Sequence, residues 1–176
     1  MNPMPLYELN KRKPSIGAGT WIAPSAQIIG NVTIGRDCFI GFGAVIRGDF
    51  GPIVIGDKSL IEDNAVIHTA TRTDIGDRVI VGHMAMIHDA AIGNGSLIGM
   101  KSMICEGAEI GESAIVAEQS LVKKGQRVPS GKVYAGNPAE FKKDVTDHHR
   151  KMLDMGIQAY IELTRLYHST LKPVDP

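Results

Sequence analysis

Aliphatic residues recur every six positions through most of the chain, from Ile16 to Val122. Eighteen leading positions keep this frame, and each of them is Ile or Val. They are Ile16, Ile22, Ile28, Ile34, Ile40, Ile46, Ile55, Ile61, Ile67, Ile75, Val81, Ile87, Ile92, Ile98, Ile104, Ile110, Val116 and Val122. Glycine follows nine of these leading residues, and the residue four positions after a leading residue is usually small. Such regularity does not arise by chance, so the chain is built from short repeats.

The period of six predicts a β-solenoid, in which short strands wind around a narrow interior. β-branched residues favour strands, glycine permits tight corners, and a small residue shares the interior with each leading residue. A single turn cannot bury its own apolar face, so the turns are stable only when stacked. The pattern resembles the hexapeptide-repeat family, which implies a left-handed parallel β-helix with three units in each turn. Eighteen units would then form about six turns, on the order of 29 Å long at ~4.8 Å per turn.

The period of six ends before the Gly136-Asn137-Pro138 turn. Beyond it, between Ala139 and Leu171, Gly156 is the only glycine and apolar residues recur with helical spacing. We therefore expect a helix that packs along one face of the solenoid, either alone or after a short helical turn. The sequence divides into an N-terminal arm (1–15), a β-helix (16–138) and a C-terminal helix and tail (139–176).

Three spacings in the middle of the repeat depart from six. They lie between Ile46 and Ile55, with three extra residues, between Ile67 and Ile75, with two extra, and between Ile87 and Ile92, with one fewer. The two longer spacings predict loops at corners of the solenoid. Loops on a rigid scaffold are where binding chemistry is usually found.

Two histidines lie beside these irregular turns in equivalent positions. The residues that follow the third leading residue of four successive turns form one column, namely Arg47, His68, His88 and Cys105. His68 and His88 should therefore occupy adjacent strands ~4.8 Å apart, where two imidazoles can converge on one metal ion. His83 follows Val81 by two positions and should point toward a different side of the solenoid.

Two stacked histidines and one displaced histidine indicate a metal site between subunits. If three chains pack around a threefold axis, the column of one chain can meet His83 of its neighbour. Three histidines and a water molecule form the ligand set of a catalytic zinc site with an open position. Zn²⁺ is the expected metal, and Fe²⁺ or Co²⁺ is an alternative because three histidines do not distinguish them.

The segments 45–49, 61–68 and 81–88 resemble the γ-class carbonic anhydrases, and more narrowly their short bacterial PaaY-type members. The resemblance implies a homotrimer in which His68 and His88 of one subunit and His83 of the next hold the metal. It also implies the reversible hydration of carbon dioxide by metal-bound hydroxide at the trimer interface.

Three further residues match, or depart from, the pattern of that family. Arg47 and Asp49 match its Arg-x-Asp motif, which implies ion pairs that bridge subunits, and Arg47 can also bind bicarbonate. A corner salt bridge without a chemical role is the alternative for this pair.

Glu62 stands where the family commonly has a glutamine that contacts the metal-bound water, so its carboxylate would accept a proton or ligate the ion. The connection 69–74 is short and lacks the glutamate that longer members carry there as a proton shuttle.

Other functions are compatible with the same repeat, because fold does not fix function. They are a metal-dependent thioesterase acting on acyl-CoA, a CoA-dependent acyltransferase that needs no metal, and a trimeric scaffold whose metal is structural. A catalytic site for carbon dioxide and bicarbonate is favoured, because three histidines at ligand spacing are not needed by an acyltransferase.

Composition and charge narrow the class of partner. The chain has 19 Lys and Arg residues against 19 Asp and Glu residues and no basic run, which argues against nucleic acid or an anionic membrane as a partner. No apolar segment has the length of a membrane span, and Met1 to Lys13 lacks the apolar stretch of a signal peptide. With only two cysteines, a cytoplasmic location is expected.

Overall fold

The computed structural model describes residues 5–174, so residues 1–4 of the expected arm and 175–176 of the expected tail lie outside the described range. The elements are β1 (Leu6–Tyr7), β2 (Ser15–Ile16), β3 (Trp21–Ile22), β4 (Gln27–Ile34), β5 (Phe39–Ile40), β6 (Val45–Ile55), β7 (Leu60–Ile61), β8 (Val66–His68), β9 (Thr73–Ile75), β10 (Ile80–Val81), β11 (Met86–His88), β12 (Ala91–Ile92), β13 (Leu97–Ile98), β14 (Met103–Ile104), β15 (Glu109–Ile110), β16 (Ile115–Val116), β17 (Leu121–Val122), β18 (Arg127–Val128), β19 (Lys132–Ala135), β20 (Glu140–Asp144) and α1 (Asp147–Thr170).

The strands stack in parallel into three faces of a β-helix, as the period of six predicts. The first face is formed by β1, the start of β4, the start of β6, β8, β11, β14 and β17. The second face is formed by β2, the ends of β4 and β6, β9, β12, β15 and β18. The third face is formed by β3, β5, β7, β10, β13, β16 and β19.

The β-helix has about seven turns among the described residues, one more than the eighteen leading residues indicate. The additional strands are β1, in which Leu6 pairs with Ile28, and β18 and β19, which continue the frame beyond Val122. In β18, Val128 keeps the six-residue spacing and is buried.

The leading residues fill the interior in stacked columns. On the first face, Ile28 pairs with Ile46, Ile46 with Ile67, Ile67 with Ile87, and Ile87 with Ile104, and all five side chains are completely buried. Each buried isoleucine contributes roughly 1.5–3 kcal/mol to folding relative to an exposed one. Each buried isoleucine therefore fixes the turn of the β-helix on which the next residue in the chain, at the surface, lies.

The corner between the third and first faces is formed by residues in the left-handed conformation. Gly43, Asn64, Met84 and Lys101 occupy this corner on successive turns with φ between 59° and 69°. The backbone N–H of Met84 donates to the carbonyl of Asp63, and that of Lys101 donates to the carbonyl of His83. This corner therefore fixes the backbone of His83 between two neighbouring turns.

The segment between the β-helix and the helix differs from the sequence prediction. Residues Glu140–Asp144 form β20, which runs antiparallel to β19, where the sequence predicts either the helix itself or a short helical turn. The chain reverses at the Gly136-Asn137-Pro138 turn, and β20 then covers the open edge of β19. The helix begins only after Thr146, whose side chain accepts a hydrogen bond from the backbone N–H of His149.

Helix α1 packs along the third face and runs from the last turns of the β-helix back to the first, as expected. Its 24 residues span about 36 Å, enough to cover the stacked turns. Near its middle the ring of Tyr160 lies 4.8 Å from that of Phe39, and near its end Tyr167 lies 4.7 Å from Trp21. Within the described part of the chain, no helix is both long enough and apolar enough to cross a membrane.

Candidate metal centre

His68 and His88 lie side by side on adjacent strands of the first face. The two residues are paired in register at the ends of β8 and β11, and their ring centroids are 5.1 Å apart. Arg47 is paired with His68 on the preceding strand, so three members of the predicted column are stacked. Cys105 follows β14 one turn later and lines a shallow hollow with Met86 and His88. The structure thus brings two imidazoles together where both can approach one ligand.

Asp49 lies against His68 and connects it to Arg47. The Oδ1 atom of Asp49 is 2.9 Å from Nε2 of His68, and its Oδ2 atom accepts a hydrogen bond from the Arg47 guanidinium. Partial burial raises the pKa of the Asp49 carboxyl, but the hydrogen bonds from His68 and Arg47 lower it by more, so the net pKa is lowered. Within one chain, the Arg47–Asp49 ion pair therefore contacts the first candidate ligand directly.

His83 lies on the corner between the third and first faces, away from the His68–His88 pair. Its Nδ1 atom accepts a hydrogen bond of 3.2 Å from the backbone N–H of Asp63. Its side chain is 37% exposed, so it remains accessible from outside the chain. Among residues 5–174, no group of three His, Cys, Asp or Glu side chains comes close enough to hold a metal ion. The structure therefore separates His83 from the pair by the width of a face, as the frame predicts.

Glu62 contacts His83 rather than the His68–His88 pair. One carboxylate oxygen accepts a hydrogen bond of 3.1 Å from the backbone N–H of His83 and lies 3.2 Å from its Nε2 atom. Burial and then the negative charge of Glu62 raise the pKa of Tyr160 of α1 well above its ordinary value. Glu62, His83 and α1 also border a groove of about 650 Å³ between the helix and the third face. The third candidate ligand is therefore held by a carboxylate next to an apolar groove.

Comparisons with known proteins place this arrangement in a family. The model for the bacterial transferase hexapeptide (six repeats) matches residues 13–48, and that for the hexapeptide repeat of succinyl-transferase matches 31–69 and 90–117. The chain is 36% identical over 93% of its length to gamma carbonic anhydrase 2 of Arabidopsis thaliana mitochondria, and 33% identical over 98% of its length to the carnitine operon protein CaiE of Escherichia coli. A hexapeptide transferase family protein from Anaplasma phagocytophilum has a solved structure that is 36% identical, with a TM-score of 0.90 over 95% of this chain and 99% of that one.

This chain belongs to the γ-carbonic anhydrase-like family of hexapeptide-repeat proteins. Its fold is the left-handed parallel β-helix that the resemblance implies. The chain spans 62% of the length of the Arabidopsis relative and 89% of the length of CaiE. The narrower resemblance to PaaY-type members stays a prediction.

One residue of this γ-carbonic anhydrase-like chain was missed by sequence reasoning. Asp89 follows His88 and is 6% exposed, and one of its carboxylate oxygens lies 3.4 Å from Nδ1 of His88. Burial alone would raise the pKa of the Asp89 carboxyl. The hydrogen bonds from Thr69, Thr71 and Ala70 lower it by more, so the net effect is a lowered pKa. The sequence does carry a signal for this position, because the spacing from Ile87 to Ile92 is one residue short.

The donor set of this family member fits a divalent metal ion of borderline softness. His68 and His88 each have a carboxylate against a ring nitrogen, Asp49 in the first case and Asp89 in the second. Carboxylates in such positions orient histidine ligands and raise their basicity. Imidazole ligands suit Zn²⁺, Fe²⁺ and Co²⁺. One chain therefore presents two candidate ligands on one face and a third candidate on another corner.

Proposed function

We propose that this protein is a metal-dependent enzyme of the γ-carbonic anhydrase type, which catalyses the reversible hydration of carbon dioxide at a site between subunits. The observation that carries the proposal is the in-register pair of His68 and His88, with an ionised acceptor beside each ring. The similarity to a mitochondrial gamma carbonic anhydrase supports the reaction type. Metal dependence, assembly and substrate belong to the proposal.

The proposed assembly is a homotrimer in which each site is shared. His68 and His88 of one subunit face His83 of the next around a threefold axis, because a cyclic arrangement repeats the same contact three times. Two observations support a shared site. One described chain holds only two imidazoles together, and His83 is accessible on a corner away from them.

The three histidines would hold Zn²⁺, or Fe²⁺ or Co²⁺, and leave a position open. A divalent ion in such a site supplies a water molecule whose pKa is lowered to near neutrality, which is the nucleophile that carbon dioxide hydration requires. The protein contributes ligands of fixed orientation, because the leading residues Ile67 and Ile87 hold the two histidines at the height of adjacent strands.

Other side chains of the site bind and orient. Arg47 is 41% exposed beside His68, so its guanidinium can meet the anionic product bicarbonate while Asp49 keeps it in place. Asp49 accepts hydrogen bonds from both His68 and Arg47 and thereby aligns the two. Glu62 accepts a hydrogen bond from the backbone N–H of His83 and also lies beside Nε2 of the His83 ring. It therefore sets the orientation of the third ligand.

The test combines metal analysis with a carbon dioxide hydration assay on protein purified without oxygen. We expect about one metal ion per chain in the wild type, and we expect both metal and hydration activity to be lost in His88→Ala. His148→Ala is the matched control, because His148 is exposed on α1 and outside the site. Hydration activity that persists undiminished in His88→Ala would refute the proposal.

Acyl-CoA chemistry is the second candidate function. The groove of about 650 Å³ beside His83 and Glu62 is larger than carbon dioxide requires, and apolar residues such as Ile80, Leu97 and Met152 line it. A relative with a solved structure is a hexapeptide transferase family protein. Metal-dependent release of free thiol from acyl-CoA would indicate a thioesterase, whereas metal-independent acyl transfer to an acceptor would indicate a transferase.

A further inference from the structure

We propose that Asp89 is a positioning residue of the metal centre, whose carboxylate fixes the ring of His88 on one side and the loop 69–71 on the other. This inference rests on the proposed function, because it concerns a histidine assigned there as a ligand. Asp89 itself directly follows the candidate ligand His88, contacts its Nδ1 atom and is not part of the predicted column.

The irregular spacing of the repeat creates the position that Asp89 fills. Only Asp89 and Ala90 connect β11 to β12, whereas four residues, 69–72, connect β8 to β9 on the preceding turn. The longer connection therefore lies over the shorter one, and the backbone polar groups of the longer loop need acceptors. The buried carboxylate of Asp89 lies below them.

The backbone of Asp89 indicates that its side chain is used. Asp89 has a φ of 49°, in the left-handed region where glycine is the least strained residue. An aspartate there carries both the conformational cost and the cost of burying a carboxylate. Since glycine would avoid both costs, the contacts of the carboxylate must offset them.

One carboxylate oxygen of Asp89 binds the loop. It accepts hydrogen bonds of 2.8 Å from the backbone N–H groups of Ala70 and Thr71 and further hydrogen bonds from the hydroxyls of Thr69 and Thr71. Four donors on one oxygen fix the loop directly beside the two histidines. The loop in turn packs on strand β6 just beyond Asp49, because a Cβ atom on Gly51 would come within 2.0 Å of the carbonyl oxygen of Thr71.

The other oxygen of Asp89 faces His88. It lies 3.4 Å from Nδ1, where its negative charge favours the tautomer that carries the proton on Nδ1 and leaves the lone pair of Nε2 free for a metal ion. The backbone N–H of Asp89 also donates to the carbonyl of His68. One residue thus links both histidines of the pair to the loop above them.

The experiment compares Asp89→Gly and Asp89→Asn with Asp37→Gly. Asp37 is the matched control, because it is an aspartate with a φ of 54° at another corner, and its side chain is exposed. Two quantities are measured on the full chain. The first is the tautomer of His88 in the metal-free protein, from ¹⁵N chemical shifts of the imidazole assigned with a His88→Gln variant. The second is the affinity for Zn²⁺, from competition with a chelator.

We expect the Nδ1–H form of His88 to dominate in the wild type and in Asp37→Gly, and to be lost in Asp89→Gly. We expect both Asp89 variants to bind Zn²⁺ about 10- to 100-fold more weakly than the wild type. An unchanged tautomer in Asp89→Gly overturns the proposal, even if the affinity falls, because the carboxylate would then act only on the loop. Unchanged affinity in both Asp89 variants overturns it as well.

The tautomer measurement needs neither metal nor turnover, so it separates this inference from the proposed function. If the wild type hydrates no carbon dioxide but His88 shows the expected tautomer change and Zn²⁺ affinity falls in the Asp89 variants, the positioning role is supported and only the reaction is wrong. If Asp89→Gly does not fold, Asp89→Asn supplies both measurements. Its amide oxygen can keep the hydrogen bonds to the loop, and its amide NH2 then faces Nδ1 of His88, so the Nδ1–H form should be lost in this variant as well. Retention of that form in Asp89→Asn overturns the proposal.

Discussion

His68 and His88 are twenty residues apart in the chain, yet their rings lie 5.1 Å apart on adjacent strands. The β-helix produces this contact because its turns stack at the ~4.8 Å spacing of parallel strands. The same geometry separates His83 from the pair, although His83 is closer to His88 in sequence. The proposed set of three imidazole ligands therefore needs a second copy of the chain, and mixing subunits tests this part of the proposal.

Mixed trimers of His83→Ala and His88→Ala should recover sites that neither variant has alone. An intact site needs one subunit with His68 and His88 and a neighbour with His83. Any trimer that contains both variants has one such junction, so we expect about one metal ion per mixed trimer, roughly a third of the wild-type content. The measurement is metal content and hydration activity of trimers that carry two different tags and are purified on both.

Mixed trimers of His68→Ala and His88→Ala are the control for this experiment. Both substitutions affect the same side of the shared site, so no junction is intact and no metal should be recovered. Full metal content in His83→Ala alone would show that His83 is not a ligand. Equal recovery in both kinds of mixed trimer would show that the site is not shared in the proposed way.

Replacement of Glu62 by glutamine should lower the pH at which hydration activity rises. A negative charge beside a site disfavours the deprotonated nucleophile, so removal of the charge should lower the apparent pKa of kcat/KM by about one unit. The amide oxygen of glutamine can still accept from the backbone N–H of His83, so metal binding should persist. The measurement is the pH dependence of kcat/KM in Glu62→Gln and the wild type.

The control for this change is Glu118→Gln. Glu118 borders the same groove as Glu62 but is exposed. Its replacement should leave the pH dependence unchanged. If Glu62→Gln and Glu118→Gln gave the same profile as the wild type, the charge of Glu62 would not reach the reacting groups.

The sequence was sufficient to place the histidine column because the repeat converts position in the chain into position in space. Once Ile67 and Ile87 are recognised as equivalent leading residues, the residues that follow them must be neighbours on the surface, and His68 and His88 are paired in register. The position of His83 on another corner follows from the same frame, since it is set by its distance from Val81.

Contacts that depend on side-chain direction and on the C-terminal segment could not be predicted from the frame. Asp89 lies at a corner where one residue is missing, and only the structure reveals that its carboxylate turns inward beneath the loop 69–71. The antiparallel strand β20 depends on the chain reversal after β19 and has no periodic signal. The proximity of Tyr160 to Glu62 depends on how α1 docks, which its apolar stripe alone does not determine.

Tyr167→Ala should destabilise the attachment of α1 to the β-helix. The Tyr167 ring lies 4.7 Å from Trp21 and 6.3 Å from Phe42, so its removal deletes aromatic contacts at the first turns. We expect a loss of roughly 2–3 kcal/mol in the free energy of unfolding, measured by urea denaturation. Leu166→Ala is the control on the same helix, because Leu166 is 53% exposed, and it should change stability by about 0.5 kcal/mol or less. Equal losses in the two variants would contradict the docking of α1 through Tyr167.

Cys38 should resist thiol reagents and should make stability fall at high pH. It is completely buried in the core, where burial raises the pKa of its thiol to about 11. Its thiolate is the reactive form, so at pH 8 the half-buried Cys105 should be modified first and Cys38 only after unfolding.

The raised pKa of Cys38 also makes stability depend on pH. The unfolded chain loses the Cys38 proton near the ordinary pKa of 9.0, whereas the folded chain retains it until about 11. Stability should therefore be lost as pH rises through this interval. Urea unfolding of the wild type and Cys38→Ala at pH 8 and pH 10.5 provides the measurement, with a smaller decline expected in the variant. An identical decline in the two proteins would exclude Cys38 as its source.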